Sequence, residues 1–84
     1  MTRDEIADEM LEARRYVRTQ PDYVRSRVMQ LRRDMSMMGT VLIPDALFAR
    51  LAENLVIGMR FIQVDPAVLE GYLYAAAFEL RCGC

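Results

Sequence analysis

The chain has 84 residues, of which 54% are hydrophobic and 27% charged, and its formal net charge is −1. This length and balance predict one folded domain over residues 1–84 and exclude a disordered chain. All eleven basic residues are arginine, and no histidine is present. The chain therefore lacks the usual general base and the lysine of Schiff-base or P-loop sites. We predict that the protein is not an enzyme and has no catalytic residue and no cofactor.

The first half of the chain predicts a helical hairpin. Thr2 and Glu5 have the spacing of a capping box, and an apolar face recurs after them, which predicts helix one over residues 3–18. The Thr-Gln-Pro-Asp sequence at residues 19–22 repeats the capping-box spacing with aspartate in the last place, so helix two is predicted to begin with a cap at Thr19 and proline in its first turn. Gly39 ends helix two. Its apolar positions alternate by four and three, as in a packed pair of helices: Val24, Val28, Leu31, Met35 and Met38.

The second half predicts a short extended link and two further helices. Residues 40–43 are mostly β-branched, and Pro44 after them favours extended geometry. Pro44 and Asp45 begin a third helix, whose apolar positions are Leu47, Phe48, Leu51, Leu55 and Val56. Gly58 is expected to end this helix, and residues 59–64 are left open between helix and strand. Asp65 begins the last helix, which runs to about Arg81. The predicted fold class is therefore mainly α, as a dimeric helical bundle.

The last helix is apolar nearly all round, since ten of the twelve residues 67–78 are apolar. Such a helix must be buried on several sides, and a chain this small has little interior in which to bury it. We therefore predict a homodimer whose twofold interface uses one face of this helix. The residues predicted for that interface are Leu69, Tyr72, Leu73 and Ala76.

Charge is segregated along the chain. Residues 1–12 hold one arginine and five acids, whereas residues 13–33 hold seven arginines and one acid. One face of helix two carries several of these arginines away from the apolar positions, and arginine binds carboxylates and phosphates well. This face is the predicted partner-binding surface, for an acidic protein or for phosphates; the alternative is a solvated polar face. The surface comprises Arg25, Met29, Arg32, Arg33 and Ser36.

Part of the chain resembles a ribbon-helix-helix DNA-binding unit, namely residues 40–45, the helix after them and a further helix from Asp65. The resemblance covers roughly residues 40–81 and implies an α+β fold with a strand at 40–43, two chains pairing their strands, and polar ribbon side chains in the major groove. Residues 40–43 contain nothing basic to reach a base edge, and residues 59–64 are longer than the family's usual turn between helices. A dimeric DNA-binding regulator is therefore the alternative function, and we expect no nucleic-acid binding.

The predicted function is non-catalytic protein–protein interaction, as an inhibitor, adaptor or chaperone. Arginine without lysine, beside abundant alanine, suggests a bacterial or phage origin. The longest apolar run, residues 72–78, is too short to cross a bilayer, and the acidic first residues are unlike a secretory signal, so we expect a cytoplasmic protein without membrane insertion. A structural zinc site needs four ligands, and Cys82 and Cys84 supply only two of them. We therefore predict no metal.

Overall fold

Four helices make up most of residues 1–82, the part of the chain that the computed structural model describes, and no strand occurs there. They contact one another in a ring, with no contact across it between α1 and α3 or between α2 and α4 within these residues. The bundle measures 35 × 20 × 20 Å. The predicted mainly α fold is confirmed. The helices are α1 (Arg3–Arg14), α2 (Pro21–Met37), α3 (Asp45–Arg60) and α4 (Pro66–Cys82).

α1 begins as predicted and ends earlier. The Thr2 hydroxyl accepts a hydrogen bond from the Glu5 N–H at 3.2 Å, and the Thr2 N–H donates to the Glu5 carboxylate at 3.1 Å, which completes the capping box. After Arg14 the chain tightens into turns with bonds to the carbonyl three residues back. The prediction of a helix to residue 18 was therefore too long. Val17 is still buried, because the tighter turn directs it into the core.

The apolar positions of α2 pack as predicted, with four of the five fully buried and Met38 partly buried against the core. Gly39 has a φ of +82°, the left-handed conformation that ends many helices. The predicted cap at Thr19 is wrong. The N-cap residue is Gln20 with no side-chain hydrogen bond, and Pro21 is the first helical residue.

Residues 40–43 form turns, so the predicted extended link and the alternative strand are both wrong. The Ile43 N–H donates to the Gly39 carbonyl at 3.0 Å, and the Arg3 side chain donates to the Leu42 carbonyl at 3.1 Å. Local hydrogen bonding thus outweighs the β-branched preference. With no strand in residues 1–82, the ribbon-helix-helix architecture and its α+β fold are absent from the part of the chain that is described.

α3 continues through Gly58, where the sequence analysis expected an end, and residues 61–64 then form turns. Gly58 is buried against Leu69 of α4, so it allows a close approach of two helices and does not end one. Asp65 precedes α4 as predicted, and its carbonyl accepts from the Val68 N–H at 3.1 Å.

The inner face of α4 is enclosed by the chain itself. Leu69 and Leu73 are 0% exposed, Ala76 is 2% exposed, and Tyr72 is partly buried against the same core. The predicted dimer interface is therefore wrong for Leu69, Leu73 and Ala76, because α1 and α3 both pack on α4 and cover them, whereas Tyr72 is only half-buried. The face of α4 that remains outside carries Gly71, Tyr74, Ala75 and Phe78.

Candidate functional site

A groove runs along the outer side of α2 and α3, the neighbouring helices that touch each other least. One part is a cleft of about 210 Å³ lined by Met29, Arg32, Arg33, Ser36 and Phe48. The other part, about 200 Å³, shares Ser36 and Phe48 and reaches the turn after α2. We call these two clefts together the α2/α3 groove.

The structure brings four of the five predicted partner-binding residues together in this groove. Leu31 and Met35 point into the core, and the 100° step between helix residues then directs Arg32 and Ser36 towards α3. Arg25 lies outside the two clefts and pairs with Asp22 on its own helix at 3.5 Å.

Phe48 is a groove residue that the sequence analysis missed, and so are Thr40, Ile43 and Asp45 of the second cleft. Its spacing with Leu47 and Leu51 assigned it to the core stripe of α3, and it is indeed partly buried against the core. It nevertheless lines both clefts. The apolar stripe of α3 is wider than the face that packs on the core, and this extra width indicated that a large side chain would lie at the edge of the core.

Most arginines outside the groove are paired with carboxylates. Four ion pairs join different helices, or a helix and a turn: Arg18 to Glu70, Arg27 to Glu9, Arg50 to Glu79 and Arg81 to Asp8. Two further pairs join residues three positions apart: Arg15 to Glu12 and Arg25 to Asp22. Acids of α1, α2 and α4 thus neutralise six of the nine arginines outside the groove.

Arg32 and Arg33 pair with no carboxylate among residues 1–82. Arg33 donates to the neutral Gln30 side chain at 3.3 Å. The Nε atom of Arg32 is buried and has no hydrogen-bond partner within residues 1–82. The first cleft of the groove therefore combines two positive charges with apolar walls, of which Met29 is 51% exposed, whereas Asp45 lines the second cleft. Guanidinium groups bind carboxylates through paired hydrogen bonds, and methionine adapts to irregular apolar surfaces.

The ion pair between Arg18 and Glu70 links the turn after α1 to α4. The Arg18 guanidinium donates to the Glu70 carboxylate at 2.9 and 3.1 Å, and Arg14 Nε donates to the Glu70 carbonyl at 3.0 Å. The hydrogen bonds from Arg18 lower the pKa of Glu70, and the same bonds raise the pKa of Arg18. Both groups thus stay charged near neutral pH and tie the end of the α1 region to α4.

No group of three acidic or cysteine side chains that lies close enough to hold a metal ion occurs within residues 1–82. In the same part of the chain, none of the helices has the length and hydropathy needed to cross a bilayer. Cys82 is exposed at the end of α4, whereas Gly83 and Cys84 lie outside the described residues, and so does the prediction for the cysteine pair. No protein family, curated protein or solved structure matches this chain.

Proposed function

We propose that this protein is a non-catalytic interaction module that binds an acidic segment of a partner protein in the α2/α3 groove. The observation that carries the proposal is that Arg32 and Arg33, beside apolar Met29 and Phe48, pair with no carboxylate in the described part of the chain. An inhibitor, an adaptor or a chaperone would each act through a surface of this kind.

The chemistry of Arg32 supports a carboxylate as the recognised group. Arg32 lines the first cleft and pairs with no carboxylate among residues 1–82. A carboxylate of the partner would accept hydrogen bonds from the terminal nitrogens of its guanidinium. Arg33, one residue along the helix, would contact a second acidic side chain. The partner segment is therefore expected to carry two acids.

The apolar walls favour a peptide over nucleic acid. Binding to a duplex depends on many phosphate contacts spread over a surface, whereas the groove offers two guanidiniums and the hydrophobic side chains of Met29 and Phe48. A cleft of about 210 Å³ admits one apolar side chain of the partner between these walls. The proposed ligand is thus an acidic peptide with an aromatic or aliphatic anchor.

The proposed functional form is a homodimer. Tyr74 and Phe78 on α4 are 57% and 59% exposed, and large apolar side chains that lie together at a surface are typical of a contact with another chain.

Selection from a random peptide library tests the proposed function. Wild-type protein is expected to enrich peptides with two acidic residues flanking an apolar one. The double variant R32A/R33A should bind the selected peptides at least tenfold more weakly. The control R15A/R60A removes the same charge from exposed positions outside the groove and should change the affinity by no more than about twofold, because distant surface charges are screened.

Two outcomes would contradict the proposal. One is a selected consensus without acidic residues. The other is equal loss of affinity in R32A/R33A and R15A/R60A, which would show that net charge and not the groove determines binding. Circular dichroism of all three proteins should show the same helix content, so that a loss of binding reports the groove.

A further inference from the structure

The two clefts of the α2/α3 groove carry opposite charges. Arg32 and Arg33 line the first cleft, whereas Asp45 lines the second. We propose that Asp45 makes the groove specific for a dipolar peptide, one that carries a lysine or arginine beyond the acidic residues that bind Arg32 and Arg33. This specificity rests on the function proposed above and adds to it the charge at the far end of the ligand.

The two clefts form one continuous path, because Ser36 and Phe48 line both of them. From Met29 to Ser36 the helix rises about 10 Å along its axis, and an extended peptide covers this length in about three residues. A segment that places its acids beside Arg32 and Arg33 therefore reaches the second cleft within its next few residues.

The carboxylate of Asp45 pairs with no arginine in the described part of the chain. Asp45 is the first residue of α3, and its side chain is exposed. The positive end of the helix dipole stabilises a negative charge in this first turn. The carboxylate is therefore available to a cation of a bound peptide, and no ion pair of the protein has to break first.

The walls of the second cleft suit the carbon stem of a lysine or arginine side chain. Met35 and Ile43 line this cleft and are almost fully buried, so they form an apolar floor. Long basic side chains pack their stems on apolar surface and keep the charged head in water. Phe48 adds an aromatic wall, and aromatic faces attract cations. The cleft of about 200 Å³ admits one such side chain beside Asp45.

Asp45 also disfavours ligands that are acidic throughout. A uniformly acidic segment, or the backbone of a nucleic acid, would place a negative charge against Asp45 in the second cleft. Charges across an interface contribute more to specificity than to affinity, and repulsion of the wrong partner is part of that specificity. An ion pair at an exposed position adds little to affinity. We therefore expect Asp45 to select among acidic segments, while Arg32 and Arg33 hold them.

A focused peptide library tests this specificity. The library keeps the acid–apolar–acid core of the proposed ligand and randomises the residues on each side of it. Wild-type protein should enrich lysine or arginine at one fixed position on one side of the core. The variant D45K should instead enrich aspartate or glutamate there. The control E53K makes the same change of charge at an exposed position of α3 outside both clefts, and it should keep the wild-type preference.

The affinities of two synthetic peptides measure the size of the effect. The peptides differ only at the enriched position, which holds lysine in one and glutamate in the other. Wild type should bind the lysine peptide about threefold to tenfold more tightly, as expected for an exposed charge pair, and added salt should reduce this ratio by screening. D45K should reverse the preference, and D45N should bind the two peptides equally. Circular dichroism should show the same helix content in all variants.

Two results would overturn the role of Asp45. One is a wild-type protein that binds the core and enriches no basic residue beside it; the proposed function would then stand without this specificity. The other is a D45N or D45K variant with the same preference as E53K. If wild type binds the core no more tightly than R32A/R33A does, the proposed function is wrong and the specificity of Asp45 is overturned with it.

Discussion

Gly58 of α3 lies directly against Leu69 of α4. A Cβ atom at Gly58 would stand 2.8 Å from Leu69 Cδ1 and 2.9 Å from Leu69 Cα, which is closer than such atoms pack. Leu69 is fully buried, so its backbone has no room to withdraw without a shift of α4. The missing side chain at Gly58 therefore determines how closely α3 and α4 approach.

The substitution Gly58→Ala should lower the free energy of unfolding by about 1–3 kcal/mol, the usual cost of overpacking a core. Gly71→Ala is the matched control, because it places the same methyl group in open space on a helix; it should raise stability by about 0.5–1 kcal/mol. Urea denaturation followed by circular dichroism measures both. Equal stability of G58A and wild type would show that the two helices separate easily.

Gly39 adopts the left-handed backbone conformation, with a φ of +82°. The substitution Gly39→Ala should cost about 1–2 kcal/mol, because a Cβ atom is strained in the left-handed region. Gly39→Asn should cost less than Gly39→Ala, since asparagine tolerates this region better. Thermal unfolding of the two variants compares them, and an alanine variant as stable as the asparagine variant would contradict the prediction.

Stability should fall in acid partly through Glu70. Hydrogen bonds from Arg18 hold the folded-state pKa of Glu70 below its ordinary value of 4.5. Above that pH, Glu70 makes its full contribution to the free energy of unfolding. The contribution is lost as the pH falls through the folded-state pKa, because Glu70 binds its proton at a higher pH in the unfolded chain than in the folded one. Wild type should therefore be more stable than E70Q at pH 7, and the difference should shrink between pH 5 and pH 3. Urea titrations at several pH values measure it.

The double variant R18Q/E70Q provides the control for this prediction. In the R18Q background the hydrogen bonds that lower the pKa of Glu70 are absent, so the substitution at Glu70 should change stability much less with pH. A difference between wild type and E70Q that grows as the pH falls would contradict the assignment.

Arg32 should contribute to binding and not to stability. Its Nε atom is buried without a partner, so Arg32→Met should leave the free energy of unfolding unchanged or raise it by up to about 1 kcal/mol, while binding of acidic peptides is lost. Arg27→Met is the contrast, because Arg27 pairs with Glu9 of α1, and its removal should cost about 1–3 kcal/mol by leaving that carboxylate unsatisfied. If R32M destabilises as much as R27M, Arg32 is a structural residue.

The local signals in the sequence determined the helices well. The Thr2–Glu5 capping box, the left-handed glycine at 39 and the Asp65-Pro66 start of α4 each act within one or two turns of chain, and each occurs as predicted. The predictions failed where a local pattern had competing solutions. Residues 40–43 have a β-branched preference, but hydrogen bonds to Gly39 and Arg3 form turns instead.

The face of α2 that lines the groove was predictable, because the 3.6-residue period separates its apolar positions from Arg32 and Ser36 whatever packs beside them. Only the tertiary structure decided which helix lies opposite, and so brought Phe48 into the groove. The tertiary structure also decided which residues of α4 are buried and which are exposed. That helix is apolar nearly all round, so its own period does not distinguish Leu69 and Leu73 from Tyr74 and Phe78. The choice was made by α1 and α3, which cover the first pair and leave the second pair exposed.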